Sequence, residues 1–221
     1  MERSPEPELM DDAAQVAAYA QADFEKPHAM YMELLAGALG ETIPAGRALD
    51  LGCGAGDITA RLVLRYPETR VDALDGAGRM LEHARVRLRR DGIEERVNLL
   101  NRHLPDPTIE SAVYSAVFSN SLLHHLADPL VLWQTVMRAA ASGAFVFIMD
   151  LMRPDSVSTA EALVAEYAGG EPEILRRDFF RSLLAAYRVG EVRAQLSAVG
   201  LESLAVEPVS DRHFIVHGRL P

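Results

Sequence analysis

Three groups of residues in this chain have the types and spacing that chemistry needs. The first is the turn in "ALDLGCGAGDITARL", residues 48–62, where Gly52, Gly54 and Gly56 follow an apolar run that ends at Asp50. Glycines at every second position let a backbone turn tightly and approach a ligand without Cβ interference. The second is Asp75, which closes the next apolar run, "VDALDG". A carboxylate there can accept hydrogen bonds from both hydroxyls of a ribose lying across the strand ends. The third is "FSNSLLHHLADP" with Asp150 at the end of "FVFIMDL". An acid on the following strand could orient His124 or His125 as a general base. The bland alternative is a histidine that caps the next helix beside one that is merely packed and hydrogen-bonded.

These residues need a scaffold that brings strand ends together. Short apolar runs at 47–53, 71–75, 97–104, 114–120 and 143–151 alternate with helical stretches. That rhythm predicts right-handed βαβ units and a mostly parallel sheet, which binds ligands at the carboxyl ends of its strands. Asp57 is expected to cap the helix after the glycine turn. "AGRMLEHARVRLRRDG" reads as an amphipathic helix with Met80, Leu81, Ala84, Val86 and Leu88 on its apolar side. After Arg153 two helical stretches follow without a strand between them. "LESLAVEPVSDRHFIVHGRL" then reads as a terminal hairpin with its turn at Pro208–Asp211.

Composition bounds the function. At 221 residues and 49% hydrophobic, the chain can bury the core of one domain and carry a lid. Its formal charge of −10 disfavours nucleic acid and anionic membrane surfaces, which are held by clustered Lys and Arg. One cysteine, Cys53, excludes an internal disulfide and fits a reducing cytoplasm. No Cys/His cluster has zinc-ligand spacing, so no metal is expected. Residues 1–10, acidic and Pro-rich, are expected to be disordered.

The glycine spacing departs from the G-x-G-x-x-G of dinucleotide folds, which points to a nucleoside ligand without a pyrophosphate. Together, "ALDLGCGAGD", "VDALDGAGRMLEHAR" and "FSNSLLHHLADP" resemble the class I S-adenosylmethionine-dependent methyltransferases, nearest the small-molecule group with UbiE-like or type 11 domains. The resemblance spans about residues 46–150. It implies an α/β, Rossmann-like seven-stranded mixed sheet of order 3-2-1-4-5-7-6 with strand 7 antiparallel, helices on both faces and a helical lid. It also implies S-adenosyl-L-methionine as cofactor and S-adenosyl-L-homocysteine as product. Carried over by position, Asp50, Gly52, Gly54 and Gly56 would line the methionine end of the cofactor. Asp75 would hold the ribose, and Gly76 and Met80 would flank the adenine. Asn120 would lie near the sulfonium. Where the family often has an acid on the adenine amine, this chain reads Asn101-Arg102-His103, so Asn101 or His103 would substitute.

The expected organisation is a single methyltransferase domain over 11–221, with N-terminal lid helices at 11–40 and a helical substrate cap inserted at 153–189. Tyr19, Phe24 and Tyr31 would close over the cofactor. Phe179, Phe180 and Tyr187 would wall the acceptor, with Arg153, Arg176 and Arg177 available to a carboxylate or phosphate. The expected partner is a small-molecule acceptor, with a homodimer left open. Acceptor and acceptor atom (O, N, S or C) are not legible. The alternatives are a non-catalytic S-adenosylmethionine-binding subunit and another S-adenosylmethionine-using reaction on the same fold.

Overall fold

The computed structural model describes residues 1–7, 9–40 and 42–221; Glu8, within the segment expected to be disordered, and Glu41 lie outside the described residues. Two helices, α1 (Ala13–Gln21) and α2 (Glu25–Leu39), precede the sheet. The alternating core follows: β1 (Arg47–Leu51), α3 (Asp57–Arg65), β2 (Arg70–Asp75), α4 (Gly78–Arg90), β3 (Val97–Asn101), β4 (Tyr114–Asn120), α5 (Leu130–Ala139) and β5 (Ala140–Leu151). Three helices, α6 (Val157–Ala168), α7 (Glu173–Ala185) and α8 (Val189–Ala198), lead to the hairpin β6 (Ala205–Pro208) and β7 (His213–Arg219). The described strands form one sheet of order β3-β2-β1-β4-β5-β7-β6. β1 to β5 pair in parallel; β7 runs antiparallel to both β5 and β6. The expected order and the antiparallel strand 7 are both present.

Side-chain alternation along the strands splits the core in two. Phe145, Phe147 and Met149 of β5 join Leu62, Leu81 and Leu88 of α3 and α4 on one face. Val146 and Ile148 join Trp133 of α5 and Leu196 of α8 on the other. Both faces are covered, so the central strands are mostly apolar, with Asp72 in β2 and Ser119 in β4 among the buried exceptions. This burial orders the strand ends, where the polar residues of the site emerge.

Four local expectations are corrected. Asp57 is the first residue of α3 rather than its cap; Gly56 holds the cap position in a left-handed conformation, and the Asp57 carboxylate pairs with His28, Arg61 and Arg87. Val86 is 68% exposed, because α4 presents a narrower apolar stripe than the sequence suggests, built from Met80, Leu81, Ala84 and Leu88. Tyr31 packs edge-on against Phe147 in the core instead of closing over a ligand. The N-terminal segment is not loose. Arg3 donates to the carbonyls of Ala185, His124 and Leu126 and lies 4.1 Å above the Tyr187 ring. Ser4 N–H donates to Leu184. A Pro-rich stretch cannot nucleate its own structure, but it can be held by partners elsewhere in the chain.

Candidate active site

At the carboxyl end of β1 the chain turns through the glycines, and each glycine has its own reason. At Gly52, with φ +75°, a Cβ would stand 2.9 Å from Leu122. At Gly54, with φ +52°, a Cβ would enter open space, where the cleft begins. At Gly56 a Cβ would meet Ala84 of α4 at 3.0 Å. Gly56 therefore serves helix packing and does not line the cleft, contrary to the expectation from sequence.

The turn spends its own N–H groups. Gly52 and Cys53 both donate to the Leu74 carbonyl, Gly54 donates to the Asp75 carboxylate, and Gly56 donates to Cys53. An anion nest needs free N–H groups. This turn offers a ligand room and shape instead, which suits a nucleoside without a pyrophosphate.

Asp75 accepts from Gly54 N–H through Oδ2 and from Ala77 N–H through Oδ1, both at 2.8 Å. Each oxygen keeps a lone pair for a further donor. Burial pushes its carboxyl up, against those two hydrogen bonds. Asp50 is buried at 1% exposure, and its Oδ2 accepts from the Thr59 hydroxyl at 2.5 Å. Burial raises its pKa to about 6.

A cavity of about 530 Å³ opens in front of these groups. Its cofactor-side wall includes Gly52, Gly54, Asp75, Gly76, Met80 and His103, and Asn120 lies where β4 ends. A smaller cleft of about 210 Å³ continues past Asp50 toward His28 and Arg61 and shares Gly52, Gly54 and Asn120 with the first. Asn101 is placed elsewhere. Its amide donates to the backbone carbonyls of Asp75 and Gly76, so it braces the loop after β2 from outside the cavity.

Past β4 the chain makes a short 3₁₀ turn at Leu123–His125, and here the two histidines part ways. His124 is 2% exposed, with Nδ1 2.5 Å from Asp150 Oδ1. Asp150 also accepts from Leu123 and Leu151 N–H. Burial opposes ionisation of both groups. The Asp150 charge nevertheless holds the His124 imidazole above its ordinary pKa, and His124 holds Asp150 below its own. His125 Nδ1 makes no such hydrogen bond; burial and the neighbouring His124 push the ring down to about 3. Both line the cavity.

The far wall carries Leu126, Leu151, Leu175 and Phe179, with Arg212 just before β7 and His213 at its start. Arg153 does not reach it. That side chain is buried and donates to the Ala186 carbonyl and to Glu191. Tyr187 is likewise structural, its hydroxyl donating to Leu126. Arg176 and Arg177 are not among the lining residues; they pair with Glu173 and with Asp178, which does line the cavity, and Phe180 packs between α6 and α7. No residue pattern singled out His28, Arg212 or Glu6. Each comes from a different segment, and only the fold brings them to the strand ends.

Residues 48–143 match a methyltransferase domain family. The chain is 28% identical over 172 residues to a trans-aconitate 2-methyltransferase of Rhodopseudomonas palustris, covering 77% of this chain and 60% of that one. It is 31% identical over 120 residues to the enzyme of the same name from Rhizobium rhizogenes, covering 54% and 43%. The chain thus spans about half the length of these curated relatives. Among solved structures, a SAM-dependent methyltransferase from Aquifex aeolicus superposes with a TM-score of 0.68 at 18% identity, covering 95% of this chain and 99% of that one. The plantazolicin methyltransferase BpumL, solved with a triazolic desmethylPZN analogue and SAH, gives 0.71 at 12% identity, covering 95% and 92%. Sheet order, glycine turn and strand-end acid agree with these matches: residues 48–143 carry a methyltransferase domain, and the chain shares the fold of the solved S-adenosylmethionine-dependent methyltransferases.

Proposed function

We propose that the protein transfers a methyl group from S-adenosylmethionine to a small-molecule acceptor held between the ends of β4 and β5 and the α6–α7 pair. One observation carries this reading: a single cavity joins Gly54, Asp75 and Met80 to His124, Leu151 and Phe179. Cofactor end and acceptor end open on the same space.

The residues present fit the cofactor. The open space at Gly54 admits a ligand that a Cβ would obstruct, and the lone pairs left on Asp75 suit the two ribose hydroxyls. Met80 offers an apolar face for the adenine, and Asn120 a polar group beside the reacting centre. When bound, S-adenosylmethionine supplies an electrophilic methyl for in-line displacement. The protein must align the acceptor, exclude water and take a proton. Tyr19 and Phe24 lie along the cleft from α1 and its connection to α2, and act as the lid over the cofactor. α6 and α7 roof the acceptor side. His124 is the base of the pair: Asp150 takes its Nδ1 proton as a hydrogen bond and leaves Nε2 free to accept one from the acceptor. His125 assists by packing against it, ring centroids 4.2 Å apart.

Acceptor screening with methyl-labelled cofactor tests the reading. The pool includes trans-aconitate, because several relatives carry that name, and Arg212 provides a cationic group at the cavity wall for an organic acid. Label should pass to a small molecule. Tight S-adenosylhomocysteine binding with no transfer to any pool would favour the non-catalytic subunit instead.

A further inference from the structure

Glu6 reaches the two histidines from the N-terminal segment. Its Oε1 lies 3.6 Å from His124 Nε2 and 3.4 Å from His125 Nδ1. One ligand-capable atom from each of the three residues lies within 4.8 Å of the others.

The proton inventory of this cluster is unusual. His124 gives its Nδ1 proton to Asp150, so a neutral ring has a bare lone pair at Nε2. His125 Nδ1 is buried, has no hydrogen-bond partner and faces Glu6 Oε1 at 3.4 Å. Glu6 contributes carboxylate oxygens and is itself held by the Ser182 hydroxyl at 2.9 Å. Two ring nitrogens and a carboxylate converge at separations longer than hydrogen bonds, with only the Ser182 hydroxyl donating to Glu6 Oε1. A cation among them would satisfy all three groups at once.

We propose that Glu6, His124 and His125 form a binding site for a divalent transition-metal cation of the zinc, cobalt or iron type. Two imidazoles and one carboxylate are a donor set these ions take, whereas magnesium takes oxygen ligands. Bonds of about 2.1 Å at tetrahedral angles place ligand atoms about 3.4 Å apart, close to the two Glu6 separations. Asp150 adds the outer carboxylate that commonly orients a metal-bound histidine through its other ring N–H. A centre with three protein ligands keeps a fourth position. Because His124 and His125 line the acceptor cavity, that position is within reach of an acceptor oxygen. The proposal goes beyond the methyl-transfer reading and stands without it. A cation and a proton on His124 Nε2 exclude each other, so an ion-loaded protein would not use His124 as its base.

The test is titration of tag-free, chelator-stripped full-length protein with cobalt, zinc and magnesium salts separately, without cofactor or acceptor. Calorimetry reads all three, and the visible spectrum reads cobalt. One equivalent of cobalt and of zinc should bind, with no saturable magnesium binding. Glu6→Gln, which keeps the side-chain shape, and His125→Ala should each weaken cobalt binding at least tenfold, as losing a ligand or its support does. Thermal melting should show both variants folded. His83→Ala, at an exposed histidine of α4, should leave binding unchanged. The proposal is overturned if the wild type binds no stoichiometric cobalt or zinc, if folded Glu6→Gln binds as tightly as the wild type, or if magnesium binds equally well.

Discussion

The two halves of the cavity are built in opposite ways. The cofactor half comes mainly from one stretch, residues 50–80, with His103 and Asn120 added from later segments, and works largely through backbone: a glycine turn and a carboxylate held by N–H groups. The acceptor half collects side chains from residues 6, 124, 150, 179 and 212. A backbone-built site depends on conformation and so tolerates few changes at its glycines. A side-chain-built site can change its chemistry one residue at a time without disturbing the scaffold. Binding a constant cofactor beside a variable acceptor calls for that division.

The largest effect that would break the comparison lies in the acceptor half. His124→Asn should lower turnover about 10²–10⁴-fold while leaving S-adenosylhomocysteine affinity within about threefold. The assay belongs in chelator-treated enzyme, so that a bound cation cannot substitute for the base. Survival of turnover would assign the reaction to alignment and desolvation alone, and a matching collapse of affinity would make the two halves one.

In the cofactor half, the glycines should separate by mechanism. Gly54→Val should weaken S-adenosylhomocysteine binding at least tenfold, because its Cβ enters the open cleft. Gly56→Val should instead appear in thermal melting, since its Cβ presses on Ala84. Calorimetry and melting on both variants would expose the error if both simply unfold. Asp75→Ala should cost about 1.5 kcal/mol or more of binding, the worth of hydrogen bonds to a charged acceptor.

His213 sharpens the comparison through pH. It is buried beside Arg212, with Nδ1 3.0 Å from the Ser210 hydroxyl, and burial lowers its pKa to about 4. The unfolded chain binds that proton near pH 6.5, so between 6.5 and 4 it holds more protons than the folded chain. Stability should therefore fall as pH drops through this window. At about 1.4 kcal/mol per pH unit the full effect is about 3 kcal/mol. Chemical denaturation from pH 7.5 to 4 should show a shallower decline in His213→Asn than in wild type; parallel curves would remove His213 as the cause. The smallest effect belongs to Val86→Glu, at an exposed position of α4, which should shift stability by no more than about 0.5 kcal/mol.

The difference between the halves also marks what could be read in advance. The glycine turn, Asp75 and the strand rhythm were legible because their partners lie within a few dozen residues and follow fixed periods. Asn101 misled because its position suggested the adenine, while its amide reached the nearer carbonyls of Asp75 and Gly76. Residues 1–10 misled because composition reports a segment's own tendency to order and carries no trace of a carbonyl offered by Ala185 or a hydroxyl by Ser182.

The sequence by itself determined the strand rhythm, the glycine turn and the acid at the end of β2, since local backbone preference and apolar periodicity act between near neighbours. Only the tertiary structure decided which histidine Asp150 holds, because residues one apart differ there by the direction of a single 3₁₀ turn. It alone brought Glu6 across 118 positions to the same point. Contacts at that separation are fixed by how the faces of the sheet and helices pack, and no spacing along the chain records them.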